Sequence, residues 1–217
     1  MSLEVCFLAS RLDLCQLFST SSLTTSSTGN SGIGYQTCLQ LALRHARVYV
    51  AGRSEERVNK AIEEMQRTAG SMQLDLRFLE LDLQNLKSVK AAAAAFKQRE
   101  QRLDILINNA GVCEYILSSK GREYTADLRF VDPQIMGVPF ELTTDGYELQ
   151  WQVNYLSPYL FVSELLPLLL ATASTSGTKD RVRIINLSSE MTTLLGPKHV
   201  FLNDVNMTEQ KGMTVLL

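Results

Sequence analysis

Hydrophobic and polar positions along the chain switch repeatedly between two periods. Ile33 to Arg44 carries apolar residues at 33, 38, 39, 41, 42 and 43, the spacing of a helix with one apolar face. The short run Arg47-Val-Tyr-Val-Ala51 that follows reads as a buried strand. The step then repeats. Ser54 stands where it caps a polar helix to about Thr68, with Val58, Ile62 and Met65 on one face, and Leu74–Leu81 follows as a strand. Asn85 to Arg102, with its run of alanines from Ala91 to Ala95, is the next predicted helix, and Leu103 to Ile107 the next strand. Thr143 or Thr144 caps a long helix over 144–170, and Arg181 to Leu187 is a further strand. Strands rich in Val, Ile and Leu, separated by helices, predict a parallel sheet covered on both faces and joined by right-handed crossovers, the doubly wound α/β class.

Two stretches fall outside this rhythm. Residues 1–28 divide into an apolar half and a Ser/Thr-rich half, Ser19 to Thr28, which reads as an atypical N-terminal segment and linker. Residues 113–135 show no sustained periodicity and are long for a connection inside one domain, so they read as an insertion. Residues 29–217 are then one partial domain.

Composition narrows the function classes. Within 217 residues, 45% hydrophobic and 20% charged describe an ordinary soluble domain. Twenty-one Lys+Arg against 23 Asp+Glu give a net charge of −2, so there is no basic field to gather nucleic acid. Cys6, Cys15, Cys38 and Cys113 contain no C-x-x-C, and only two His accompany them, which predicts neither a disulfide framework nor a metal site. The N-terminal apolar run is broken by Glu4, Arg11 and Asp13, so no signal peptide is expected. The longest apolar stretch, Leu149 to Ala173, holds Gln150, Gln152, Asn154, Pro158, Glu164 and Pro167, costly material for hydrocarbon, so a buried helix is expected rather than a transmembrane segment. A cytoplasmic location is the default.

Candidate chemistry gathers where predicted strands end. Gly29-Asn-Ser-Gly32-Ile-Gly34 opens the first helix, where a tight glycine turn and unpaired N–H groups favour a pyrophosphate, although such a turn is also ordinary connection chemistry. Arg53 ends the next strand, where an acid would serve the ribose 2′-OH of NAD; a guanidinium suits a 2′-phosphate instead, and a solvated arginine at a helix start is the plainer reading. Asp82 stands where a carboxylate accepts from an adenine amino group or caps a helix. Asn108-Asn-Ala-Gly111 closes the strand Leu103 to Ile107.

With that block the chain resembles the short-chain dehydrogenase/reductase family. Gly32-Ile-Gly34, Ala51-Gly-Arg53, Asp82-Leu83, Asn108-Asn-Ala-Gly111, Asn154 within a long helix and Asn186-Leu-Ser-Ser189 occur in the family's order. The resemblance implies a Rossmann-type sheet and an NAD(P)-dependent oxidoreductase that moves a hydride between the cofactor and a carbonyl or alcohol substrate. It implies a cofactor site from Gly29, Ser31, Gly32, Ile33, Gly34, Arg53, Asp82, Leu83, Asn108, Ala110 and Gly111, with NADP(H) favoured over NAD(H) because of Arg53. It implies Ser189 and Asn154 as catalytic residues, and a homodimer through helix 144–170 in which Trp151, Tyr155, Tyr159 and Phe161 face a partner, although core packing within the chain explains those four residues as well.

Three departures qualify these expectations. The family's Tyr-x-x-x-Lys lies downstream of the Ser, but no tyrosine follows Ser189, and Leu194 and Met207 stand four residues before Lys198 and Lys211. Thr28 stands where the family's first glycine belongs, and Leu23-Thr-Thr-Ser-Ser replaces the aliphatic first strand, so that strand is expected to be atypical, with Leu3 to Phe7 a distant substitute. The insertion is the third, and the expectation that accounts for all of them together is a retained intron or a gene-model error. The expected sheet is therefore incomplete, lacking its C-terminal strands. The alternatives to a working reductase are a noncatalytic nucleotide-binding or subunit-pairing remnant and a nonfunctional fragment.

Overall fold

The computed structural model describes residues 6–10, by backbone alone, together with 33–111, 140–175, 181–188 and 204–206. The expectations for Gly29, Ser31, Gly32, Ser189, the Ser/Thr-rich linker and the insertion at 113–135 lie outside the described residues. The elements in chain order are β1 (Cys6–Ser10), α1 (Ile33–Ala42), β2 (Arg47–Gly52), α2 (Glu55–Thr68), β3 (Leu76–Glu80), α3 (Leu86–Arg99), β4 (Ile105–Asn108), α4 (Leu149–Trp151), a π-helical turn (Gln152–Leu156), α5 (Ser157–Thr175) and β5 (Arg183–Asn186).

Local signals set most of these boundaries. Ser54 caps α2 by accepting from the Arg57 N–H, and Glu55 and Glu56 in the first turn and Arg67 in the last complement the helix dipole. Asn85 caps α3, its Oδ1 accepting from the N–H groups of Lys87 and Ser88. At the end of α1 the Ala46 N–H donates to Leu41 O at 3.2 Å and the His45 N–H to Ala42 O at 2.9 Å, the paired bonds of a Schellman ending. His45 therefore takes a left-handed φ of 62°, which strains a residue with a Cβ. His45→Gly is expected to raise stability by about 0.5–1 kcal/mol, the relief of strain being partly offset by a more flexible unfolded chain. A higher urea midpoint at constant slope checks this, and an unchanged midpoint refutes it.

The five strands form one sheet in the order β3-β2-β1-β4-β5. β2 and β3 are parallel, as are β4 and β5, but β1 runs antiparallel to both of its neighbours. This corrects the expectation of a wholly parallel sheet and shows what atypical means for its first strand. The Ser/Thr segment before the glycines has no aliphatic run, and the slot between β2 and β4 is filled by the N-terminal apolar segment, with Leu8 opposite Tyr49 on one side and Leu106 on the other. An antiparallel ladder satisfies the exposed N–H and C=O groups of β2 and β4 as fully as a parallel one. The 22 residues between Ser10 and Ile33 also release the strand from the short βα turn that would force it parallel.

Side chains alternate across the sheet with period two. Val48, Val50, Ile105 and Ile107 join α1 and α2 on one face, while Tyr49, Ala51, Leu79 and Leu106 join α3 and α5 on the other. Both faces are covered, which is the doubly wound arrangement. At the end of the strands away from the chain's candidate chemistry, Glu100 is buried and accepts from Arg47 Nη1 at 2.9 Å and from the Tyr49 hydroxyl at 2.9 Å. Burial, reinforced by that carboxylate, raises the Tyr49 pKa. Burial alone would raise the Asp75 carboxyl, but hydrogen bonds from Arg47 and Arg77 outweigh it and hold the group below its ordinary value. Asp104, wholly buried, accepts from Arg181 Nε at 2.9 Å and so fixes the entry to the edge strand β5.

The long helix starts later than its sequence suggests. Residues 143–147 are not helical: the Gly146 N–H donates to Thr143 O, with Gly146 at φ 83°, and a bridge pairs Leu142 with Glu148. The cap is Glu148, whose carboxylate accepts from the Trp151 N–H at 2.7 Å, rather than Thr143 or Thr144. Downstream, Pro158 offers no N–H to Asn154, and the helix accommodates this with a π turn in which the Ser157 N–H bonds to Gln152 O. By length and composition Leu149–Thr175 would serve as a membrane span. Its Phe161, Leu165 and Leu169 instead lie in the core with Leu106 and Phe96, which makes it a covering helix of the sheet.

Candidate functional site

The parallel strands β2, β3, β4 and β5 end on the same side of the sheet, and the sequence-predicted residues that can be described cluster there. Gly52 O accepts from the Leu81 N–H at 3.1 Å, so the ends of β2 and β3 stay together and Arg53 and Asp82 follow the ends of adjacent strands. Arg53 is exposed. Asp82 is half-buried; its N–H donates to Ser88 Oγ at 3.0 Å and its Oδ1 accepts from the Gln84 N–H at 2.9 Å. It therefore shapes the turn before α3, while the capping role falls to Asn85. The Leu83 side chain is buried in the core, which leaves only its backbone at the rim.

Across the central strand, Asn108 is nearly buried. Its Nδ2 donates to Asn186 Oδ1 at 2.8 Å, and its carbonyl accepts from the Leu187 N–H at 3.0 Å. The two asparagines lock the ends of β4 and β5 in register. Ala110 packs against the core beside them and Gly111 is exposed. A Cβ built on Gly111 would lie 3.8 Å from Asn154 Oδ1. The Asn-Asn-Ala-Gly block and Asn154, separated by more than forty residues of sequence, thus share one rim. Asn154 reaches it from the π turn, which breaks the regular helical spacing at that point.

The pyrophosphate end is represented by α1. Ile33 is exposed at its first position, Gly34 is buried, and its first turn holds no acidic side chain, in contrast to Glu55 and Glu56 at the start of α2. The α1 N-terminus thus suits an anion electrostatically. Among the described residues no cluster of His, Cys, Asp or Glu is suited to a metal. Cys38 is a free thiol whose pKa burial pushes up, so it is unreactive in the fold.

Sequence reasoning assigns no site role to Asn186, Asp145, Gln152 or Ser157, and offers Thr143 only as a helix cap. Asn186 lies inside a motif that was recognised, so its link to Asn108 needed only the register of β4 and β5. The other four have no spacing in common, and their association appears only once the 143–147 turn is folded against α3.

The short chain dehydrogenase family model matches residues 26–200. An uncharacterized oxidoreductase of Schizosaccharomyces pombe is 42% identical over 177 residues, which cover 82% of this chain and 44% of that protein. Among solved structures, menthone neomenthol reductase from Mentha piperita aligns with a TM-score of 0.54 at 25% identity, over 85% of this chain and 66% of its own. The NADP active-site complex of Pseudomonas aeruginosa RhlG aligns with a TM-score of 0.50 at 26% identity, over 74% of this chain and 51% of its own. The chain spans less than half of its Schizosaccharomyces pombe relative's length.

Proposed function

This chain belongs to the short-chain dehydrogenase/reductase family, and from that premise we propose that it carries the nucleotide site of an NADP(H)-dependent oxidoreductase acting on a small carbonyl or alcohol substrate. The observation that carries this reading is the meeting of the Asn108–Gly111 block with Asn154 at the rim where β2 and β3 present Arg53 and Asp82. The cofactor's nicotinamide supplies the hydride. The protein's part is to hold it. The N-terminus of α1, with Gly34 and the preceding Gly29, Ser31 and Gly32, faces the pyrophosphate; Asp82 accepts from the adenine amino group; Arg53 pairs with the 2′-phosphate. Ile33, Leu83, Ala110 and Gly111 line the cofactor through backbone and small surfaces. Ser189 orients the substrate oxygen and Asn154 holds a water through its carbonyl.

The preference for NADP(H) rests on Arg53 at the position where a carboxylate would select a free ribose hydroxyl, and the RhlG structure, solved with NADP, is consistent with it. Within these 217 residues no tyrosine follows Ser189, so the proposed behaviour of this chain on its own is nucleotide binding without turnover. Titration calorimetry with NADPH and NADH tests the site. Arg53→Ala is expected to weaken NADPH roughly tenfold, the worth of a charge-assisted phosphate contact, and to leave NADH within about twofold. Equal losses for both cofactors, or no NADPH binding by the unmodified chain, refute the proposal.

The proposed protein partner is a second copy of the chain, docked on the outer side of the helix Leu149–Thr175. Trp151, Tyr155 and Tyr159 form an aromatic ladder there, with ring centroids 4.6 and 6.3 Å apart, and Tyr159 is 62% exposed. Phe161, expected from sequence at this interface, is wholly buried in the core because it lies on the sheet side of the helix. Light scattering is expected to show a dimer that Tyr159→Glu dissociates; a monomeric unmodified chain at about tens of micromolar contradicts it, since such a Kd corresponds to only about 6–7 kcal/mol.

A further inference from the structure

Gln152 is wholly buried, two residues before Asn154, and three residues from two separate pieces of the chain, the 143–147 turn and Leu83, bond its side-chain amide. Its Nε2 donates to Asp145 Oδ2 at 2.8 Å and to Leu83 O at 3.3 Å, and its Oε1 accepts from the Thr143 hydroxyl. The same Leu83 carbonyl accepts from Ser157 Oγ at 2.6 Å, and Ser157, also wholly buried, lies three residues after Asn154. Asp145 Oδ2 further accepts from the Leu86 N–H at 2.8 Å, the first residue of α3. The π turn that presents Asn154 is therefore tied on both sides to one carbonyl, and that carbonyl belongs to the residue following Asp82. Gln152 and Ser157 are its wholly buried members, and a hydrogen-bonded network of this kind is stiff, so displacement of the 82–85 turn displaces the π turn with it.

Building on the nucleotide site proposed above, we infer that Gln152 is a positioning residue which, with Ser157, couples occupancy of the adenine end at Asp82 to the placement of Asn154. Adenine binding draws on the Asp82 turn, Leu83 O transmits the shift, and the Asn154 side chain responds. The coupling is carried by hydrogen bonds of defined length, so it is lost when their donors are removed.

The test uses the whole chain labelled with ¹⁵N at its asparagines and adenosine 2′,5′-bisphosphate, which has no nicotinamide ribose. In the unmodified chain the fragment is expected to move the side-chain amide signals of both Asn85, beside the adenine turn, and Asn154. In Gln152→Leu, and in the milder Ser157→Ala should the first fail to fold, the Asn85 signal still moves on titration while the Asn154 shift falls by at least about half, because a donor to Leu83 O is gone. A simply destabilised protein would lose or broaden both signals together. The inference is overturned if the fragment moves Asn85 but not Asn154 in the unmodified chain, or if Asn154 moves as far in the variants. Failure of the fragment to bind the unmodified chain is a different result: it removes the nucleotide site itself, and the coupling with it.

Discussion

Leu8→Pro is expected to lower the stability of the fold by about 3 kcal/mol or more, the cost of a proline where a ladder hydrogen bond and an unobstructed neighbour are required. Residue 8 sits in the middle of the central strand, opposite Tyr49 on β2 and Leu106 on β4, so both halves of the sheet depend on it. Proline is tolerated at sheet edges and excluded from such positions because its missing N–H leaves a neighbouring carbonyl unpaired. Single domains are stable by about 5–15 kcal/mol, so this one substitution takes a large share of the total. With urea slopes of about 1–3 kcal/mol/M, the midpoint should fall by roughly 1–3 M. The measurement also decides the fold's most unusual feature. An unchanged midpoint would mean that Cys6–Ser10 is not the central strand in solution, and that β2 and β4 are joined in some other way.

Phe96→Ala should be of similar severity for a different reason. The ring is completely buried between the sheet and α5, and meets Tyr49 edge-on at 5.0 Å with an interplanar angle of 78°. Removing it forfeits the transfer energy of the side chain and leaves a cavity, a loss of about 3–5 kcal/mol, which includes the aromatic pair's own contribution of about 0.5–1.5 kcal/mol. The adjacent Lys97 points to solvent and bonds Glu164, so Lys97→Ala should change stability by less than about 0.5–1 kcal/mol. Equilibrium unfolding in urea separates the two. A loss below about 1 kcal/mol for Phe96→Ala would mean that the α3 face of the sheet is loosely assembled.

The agreement between sequence and structure is greatest where the signal is local. Ser54 as a cap and Arg47 to Ala51 as a buried strand both follow from short-range sterics and periodicity, and each is found. The start of the long helix was misplaced because Thr143 and Thr144 are good capping residues by type. The Asp145-Gly146 turn consumes that segment, and Glu148 takes over the cap. Phe161 is open between interface and core in the sequence because a helix that is apolar on most of its circumference does not reveal which stripe meets the sheet, and the fold puts it in the core.

The chain's amino-acid order by itself determined the α/β class, the family motifs and the identity of Arg53, Asp82, Asn108 and Asn154 as the residues to watch, because periodicity and short motifs are written in neighbouring positions. Tertiary structure alone decided the direction of the central strand, since an unpaired slot between two strands accepts a ladder of either sense and only the closure of the whole sheet selects one. It alone also decided that Asn186 secures Asn108, and that Gln152 and Ser157 hold Leu83. Those bonds join residues 69 to 78 positions apart, and a hydrogen bond depends on distance in space, about which spacing along the chain carries no information.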